Sequence, residues 1–158
     1  MSRLLSKEQF KTVVESTPLI SLDLVVRDQQ GKVLLGKRLN RPAKGYWFVP
    51  GGRVLKNEAL ADAFQRLTLN ELGQSYTIDQ ARYLGLYEHF YEDAAVCELV
   101  STHYVVNAFL INLGDTIRSL PEEQHSEYRW LREAELLEAD DVHLHSKWYF
   151  MNGKGYSK

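Results

Sequence analysis

Residues 48–73, FVPGGRVLKNEALADAFQRLTLNELG, decide how this chain reads. Pro50-Gly51-Gly52-Arg53 opens the stretch as a turn, because its glycines accept φ > 0 and let the backbone approach a ligand closely. A helical pattern follows from about Glu58 and stops at Gly73, a residue suited to the position just past a helix. Leu60, Phe64 and Leu67 recur at i, i+4 and i+7 and share one face. At about 100° per residue Glu71 falls on that same apolar face. Burying a lone charge costs on the order of several kcal/mol, so Glu71 demands an arginine, a metal ion or a water-filled site.

These glycines, carboxylates and the arginine stand at informative spacings. The box of the Nudix hydrolases reads G-x5-E-x7-R-E-U-x-E-E-x-G-U, with U a bulky aliphatic, and this chain matches it at Gly52, Glu58, Arg66, Glu71 and Gly73. It departs at Leu67 and Asn70, where the family has glutamates, and at Thr68 and Gln74, where it has aliphatics. The departures resemble the variant box of the GDP-mannose mannosyl hydrolase branch. That resemblance extends to Ser16-Thr17-Pro18-Leu19, Gly36-Lys37-Arg38, Arg41-Pro42, Gly45-Tyr46-Trp47-Phe48-Val49-Pro50, Thr102-His103-Tyr104 and Glu123-Gln124-His125. It implies an α/β/α sandwich around a mixed β-sheet. It also implies one magnesium ion per subunit, with manganese as an alternative, held by the Gly51 carbonyl, the Glu71 carboxylate and the Gln124 amide. A homodimer using the N-terminal segment belongs to the same implication.

The 158 residues suit one domain, and 44% hydrophobic against 25% charged residues is an ordinary globular balance. A formal net charge of −2 gives no overall basic field to recruit nucleic acid, so an anionic ligand must be held by local arginines, a metal or backbone N–H groups. The single cysteine, Cys97, excludes an intramolecular disulfide and a cysteine-rich zinc site, and reads as a loop thiol. No signal-peptide pattern and no run of about 18 apolar residues is found. The expectation is a soluble cytoplasmic protein that does not bind membranes.

Along the chain, Ser6-Lys7-Glu8-Gln9 reads as a capping box before a helix over 7–15, ended by Pro18. Residues 19–27, LISLDLVVR, read as a central strand interrupted by Asp23. Asp23 is either a strand-end acid bonded to backbone N–H groups or an active-site acid touching a sugar hydroxyl; the resemblance favours the second. Asp28 to Gly31 make a hairpin turn and residues 32–35 the returning strand. Lys37, Arg38 and Arg41 are either a solvated run or, leading into the glycine turn, a pyrophosphate contact. Trp47 and Phe48 read as core. Residues 83–91 and 103–113 read as further strands, separated by a polar loop over 92–101. His89 is either a packed strand histidine or a substrate contact, and Tyr104 is a hydroxyl donor to a ligand. Residues 114–126 read as an irregular acidic loop containing His125, followed by a strand over 128–131 and a helix over 133–137. Asp141 reads as the cap of a last helix running through Trp148, Tyr149 and Phe150, and the tail from about 153 as disordered.

A nucleoside diphosphate sugar needs its phosphate charge neutralised, and magnesium with few protein ligands suits that task. Clustered box glutamates in an ordinary member of the family gather several metals and direct water at phosphorus. Leu67 and Asn70 remove two of those carboxylates. Attack then moves to the anomeric carbon, where one base opposite the leaving group gives inversion. His125, beside Gln124, has the imidazole chemistry for that base. Arg38 offsets charge on the leaving phosphate, Asp23 accepts from sugar hydroxyls, and Arg53, Tyr104 and His89 are substrate contacts. Arg66 is either a further substrate contact or a structural partner of Glu58. The expected reaction is hydrolysis of GDP-mannose, and of GDP-glucose, to GDP and free sugar. An ordinary pyrophosphohydrolase and a non-catalytic nucleotide-sugar binding module are the alternatives.

Overall fold

The computed structural model describes residues 5–95, 97–113 and 125–157. Ser6 and Gln9 form the reciprocal capping box that starts helix α1, Lys7–Ser16: the Gln9 N–H donates to Ser6 Oγ at 3.2 Å and the Ser6 N–H to Gln9 Oε1 at 3.1 Å. The strands are β1 (Leu19–Arg27), β2 (Val33–Arg38), β3 (Trp47–Phe48), β4 (Gly51–Arg53), β5 (Arg82–Tyr91), β6 (Thr102–Asn112) and β7 (His125–Leu131). Helix α2, Leu60–Leu72, lies between β4 and β5; α3 (Glu133–Glu138), α4 (Leu144–Lys147) and a 3₁₀ turn (Trp148–Phe150) follow β7.

Among the described residues these strands form one mixed sheet in the order β3-β2-β1-β6-β5, with β4 added to β1 and β7 to β2. The long β1 is its axis. It runs parallel to β6 along its whole length, from Leu19 opposite Tyr104 to Arg27 opposite Asn112. On its other side β2 meets it only at Arg27, and β4 takes over at Ser21, Leu22 and Asp23. Side chains alternate across a strand, so β1 feeds two cores. Leu22, Leu24 and Val26 pack with Ala63, Phe64, Leu67 and Leu72 of α2. Val25 packs on the opposite face with Trp47, Val49, Leu136 and Val142. Helices thus cover both faces of the sheet, as a buried, largely apolar central strand requires.

Several local expectations are corrected. Gly51 and Gly52 do not turn: they lie in β4, and neither has positive φ. Gly51 is needed for space instead, because a Cβ there would collide with Asp23 Oδ1. Leu60, placed on the apolar face by periodicity, is 44% exposed and is the first residue of α2. Gly73 does terminate α2, with φ 74°. The strand expected from 128 begins at His125, drawn into the ladder by pairing with β2. Asp141 does not cap the last helix; its carboxylate meets Arg129 at 2.6 Å, and His143 Nδ1 accepts from the His145 N–H instead. The tail expected to be disordered returns along β5: the Tyr156 N–H donates to the Leu86 carbonyl at 2.7 Å, and the Leu86 N–H donates back to Tyr156 at 2.8 Å.

Candidate active site

Where β2 diverges from β1 and β4 replaces it, a cleft of about 460 Å³ opens, lined by strands of the sheet and by α2. Its size falls in the range that holds small-molecule ligands. The sheet contributes Asp23 from β1, Arg38 from β2, His89 and Tyr91 from β5, and Tyr104 from β6. Strand β4 contributes Gly51, Gly52 and Arg53, and α2 contributes Arg66, Leu67, Asn70 and Glu71. The chain brings together residues more than 80 positions apart because β1 and β6 are parallel neighbours.

Glu71 is 2% exposed at the cleft floor, on the helix face that the 3.6-residue period assigns it. Asp23 is half-buried in the middle of β1, not at a strand end bonded to backbone N–H groups. Its Oδ2 accepts a hydrogen bond from the Tyr149 hydroxyl, and its Oδ1 lies over Gly51. Burial raises its pKa from 3.8 to about 7; the Tyr149 bond and the Arg38 charge pull it down, and Glu71 pushes it up. Arg53 stacks over the Phe10 ring of α1 at 4.1 Å, which steers its guanidinium. Arg38 lies 5.5 Å from the Phe48 ring centre. Arg66 is committed elsewhere: Nε donates to Glu58 at 2.6 Å, and Nη2 donates to Glu58 at 3.0 Å and to the Arg53 carbonyl at 2.8 Å. That geometry favours the structural reading of Arg66, although it lines the cleft.

His89 is 3% exposed, with burial and then the neighbouring His145 and His143 depressing its pKa to about 3. It is a neutral imidazole at neutral pH. Burial also lowers His143 and His145, each to about 4. Burial raises the phenols of Tyr91 and Tyr104, which leaves both protonated as hydrogen-bond donors. His125 pairs through its backbone with Arg38, which places the position at the cleft-lining end of β2. Gln124 lies outside the described residues.

Sequence reading missed Tyr91, His143, His145 and Tyr149. The last three come from the segment after α3, which β3 clamps in place: the Trp47 N–H donates to the Asp141 carbonyl at 2.9 Å and the His143 N–H to the Trp47 carbonyl at 3.0 Å. His145 stacks on His89 at 4.3 Å, and His143 on Phe48 at 4.6 Å. No local pattern marks these positions. The only available signal was that a tyrosine inside an apolar stretch must find a partner for its hydroxyl.

Among the described residues no three His, Cys, Asp or Glu side chains are grouped to hold a metal. The donors present suit an ion content with one or two protein carboxylates: Glu71 supplies a buried one, and Gly51 a backbone oxygen nearby.

A family model described as "NUDIX domain" matches residues 17–151. The low-salt glycan biosynthesis protein Agl8 of Haloferax volcanii is 44% identical over 122 residues, covering 77% of this chain and 76% of that protein. The m7GpppN-mRNA hydrolase NUDT17 of Danio rerio is 30% identical over 101 residues, 61% of this chain and 34% of that protein, so the chain spans about a third of that relative. Among solved structures, a MutT protein from Methanosarcina mazei Go1 superposes with TM-score 0.67 at 20% identity, covering 85% of this chain and 92% of that one. The NUDIX domain of Shewanella oneidensis NrtR, crystallised with ADP ribose, gives TM-score 0.63 at 20% identity, over 85% of this chain and 87% of that one. At these identities the structural likeness speaks for the fold alone. By the matched family model and the Haloferax relative, the chain belongs to the Nudix domain family.

Proposed function

We propose that the chain hydrolyses a sugar nucleotide, GDP-mannose and with it GDP-glucose, to GDP and free sugar by attack of water at the anomeric carbon. Family membership supports the coarser half, a hydrolase acting on a nucleoside diphosphate derivative. One observation carries the finer half. Leu67, Asn70 and Glu71 all line the cleft, and only Glu71 is a carboxylate. The helix face that would gather several metals around phosphorus offers a single ligand. The name of the Haloferax relative, a glycan biosynthesis protein, adds weight to a sugar-bearing substrate.

Bound at Glu71 with the Gly51 carbonyl and Gln124, magnesium would neutralise charge on the diphosphate. The protein's own groups do the rest. His125 takes a proton from water as its oxygen bonds to the anomeric carbon. The bond from that carbon to the diphosphate oxygen breaks, and its electron pair leaves with GDP. Arg38 and Arg53 offset the growing negative charge, and Tyr104 donates a hydrogen bond to it. Asp23 and His89 meet sugar hydroxyls and orient the ring. Attack from the face opposite the leaving group inverts the anomeric centre.

Incubation with GDP-mannose and magnesium in ¹⁸O-labelled water tests the reading. The label is expected in the free sugar, the nucleotide product is GDP, and proton NMR before mutarotation shows the inverted anomer. His125→Gln lowers kcat by about 10² to 10⁴-fold. Label in a nucleoside monophosphate or sugar phosphate overturns the proposal in favour of an ordinary pyrophosphohydrolase. Tight binding without turnover marks a binding module instead.

A further inference from the structure

Tyr149 stands 126 residues from Asp23 in sequence and does not line the cleft, yet its hydroxyl bonds to the carboxylate that does. We propose that Tyr149 is a positioning residue, whose hydroxyl fixes both the direction of the Asp23 carboxyl and the tautomer of His89. The substrate hydroxyl that Asp23 meets rests on the function proposed above; the positioning itself does not.

A tyrosine hydroxyl carries one proton and two lone pairs. Tyr149 gives its proton to Asp23 Oδ2. Toward His89 Nε2, at 3.4 Å, it then presents only a lone pair. A neutral imidazole facing an acceptor keeps its proton on the facing nitrogen, so His89 is the Nε2–H tautomer with Nδ1 bare. The chain runs His89 Nε2–H to Tyr149 Oη–H to Asp23 Oδ2, with each bond polarising the next. Burial of His89 among His145 and Trp148 keeps the imidazole neutral and the network intact.

The hydroxyl is held where it is by rigid packing. The Tyr149 ring stands edge-on to Tyr87, with centroids 4.7 Å apart and planes at 83°. The same ring packs against the Val25 side of the sheet. With Oδ2 anchored from behind, Asp23 has one oxygen left. Oδ1 lies over Gly51, the position whose missing Cβ makes room for it. Asp23 therefore presents a single acceptor in one direction, matched to a hydroxyl donor on a ligand. A floating carboxylate would offer two interchangeable acceptors and lose orientation.

Two readouts decide this. In ¹⁵N-histidine-labelled protein at pH 8.5, long-range ¹H–¹⁵N correlation is expected to show His89 protonated on Nε2. Tyr149→Phe, which removes only the hydroxyl, shifts it toward the Nδ1–H form. With GDP-mannose, Tyr149→Phe lowers kcat on the order of 10-fold or more while KM changes by less than about 3-fold. Phe150→Leu, in the same turn, perturbs packing and leaves the hydroxyl; it lowers thermal stability without moving the His89 tautomer. The proposal is overturned if Tyr149→Phe leaves the tautomer unchanged, or if Phe150→Leu shifts it equally. A tautomer shift in a protein that does not turn over GDP-mannose upholds the positioning and defeats only the substrate reading.

Discussion

Asp23 sits midway along the largely buried β1 with Gly51 opposite it, and burial outweighs the Tyr149 hydrogen bond and the Arg38 charge. Its carboxyl is raised from 3.8 to about 7. A raised folded-state pKa contributes stability that is present below pH 3.8 and lost as pH rises through 7. Above pH 7 the fold therefore carries the penalty of the buried charge. Asp23→Asn is expected to stabilise the protein at pH 8 by on the order of 1–2 kcal/mol, after discounting for solvent in the cleft, and by less at pH 5. Urea unfolding at the two pH values measures this, and an equal effect at both would show that the charge is not the cause. The substitution removes a negative acceptor from the cleft, so activity falls as stability rises. Sequence reading singled out Asp23 but left its role open, because the residues deciding it, Tyr149 and Gly51, are remote or featureless in the local pattern.

Helix α2 is joined to β4 by an ionic clasp. Glu58 accepts twice from Arg66 and once from the Leu55 N–H at 2.9 Å, while Arg66 also binds the Arg53 carbonyl. This clasp ties the Arg53 backbone to α2. Arg66→Gln is expected to cost about 1–3 kcal/mol at pH 7, because it leaves a partly buried carboxylate unpaired. The Glu58 carboxyl is depressed, first by the Arg66 hydrogen bond, so its contribution is present above the usual glutamate pKa and lost as pH falls through the folded value. The cost of Arg66→Gln should therefore shrink under acid; a cost independent of pH would assign it to packing. The spacing of Glu58 and Arg66 made this pairing legible in advance. The 3.6-residue period also placed Phe64, Leu67 and Glu71 inward, and failed for Leu60, the first residue of the helix.

Across the molecule the cluster of His89, His143 and His145 sets the response to acid. Burial is the first cause of each lowered pKa, and mutual charge adds to it for His89 and His145. The folded state binds fewer protons than the unfolded chain below pH 6.5, so stability falls with acidification toward pH 3–4. Asp23 acts in the opposite sense over part of that range, but it is one group against three. His89, fully packed, alone contributes about 1 kcal/mol per pH unit. Tm by calorimetry should drop from pH 7 to 4.5, and His145→Phe should flatten the slope; a Tm rising over that interval would contradict it. Among the described residues no helix is long and apolar enough to cross a membrane.

Legible in the residues were the layered α/β architecture, the bounds of β1, the stop of α2 at Gly73, the capping box of α1 and the inward carboxylate of Glu71. These follow from capping, periodicity and strand propensity, which are local and leave marks at fixed spacings. Long-range packing made Gly51 and Gly52 a strand, started β7 at His125 and paired the tail with β5. It alone brought Tyr149, His143 and His145 against Asp23 and His89. Those contacts depend on how β3 clamps the C-terminal segment and on which strands become neighbours. Pairing across a hundred residues is a matter of shape and burial, and it leaves no periodic trace in the chain.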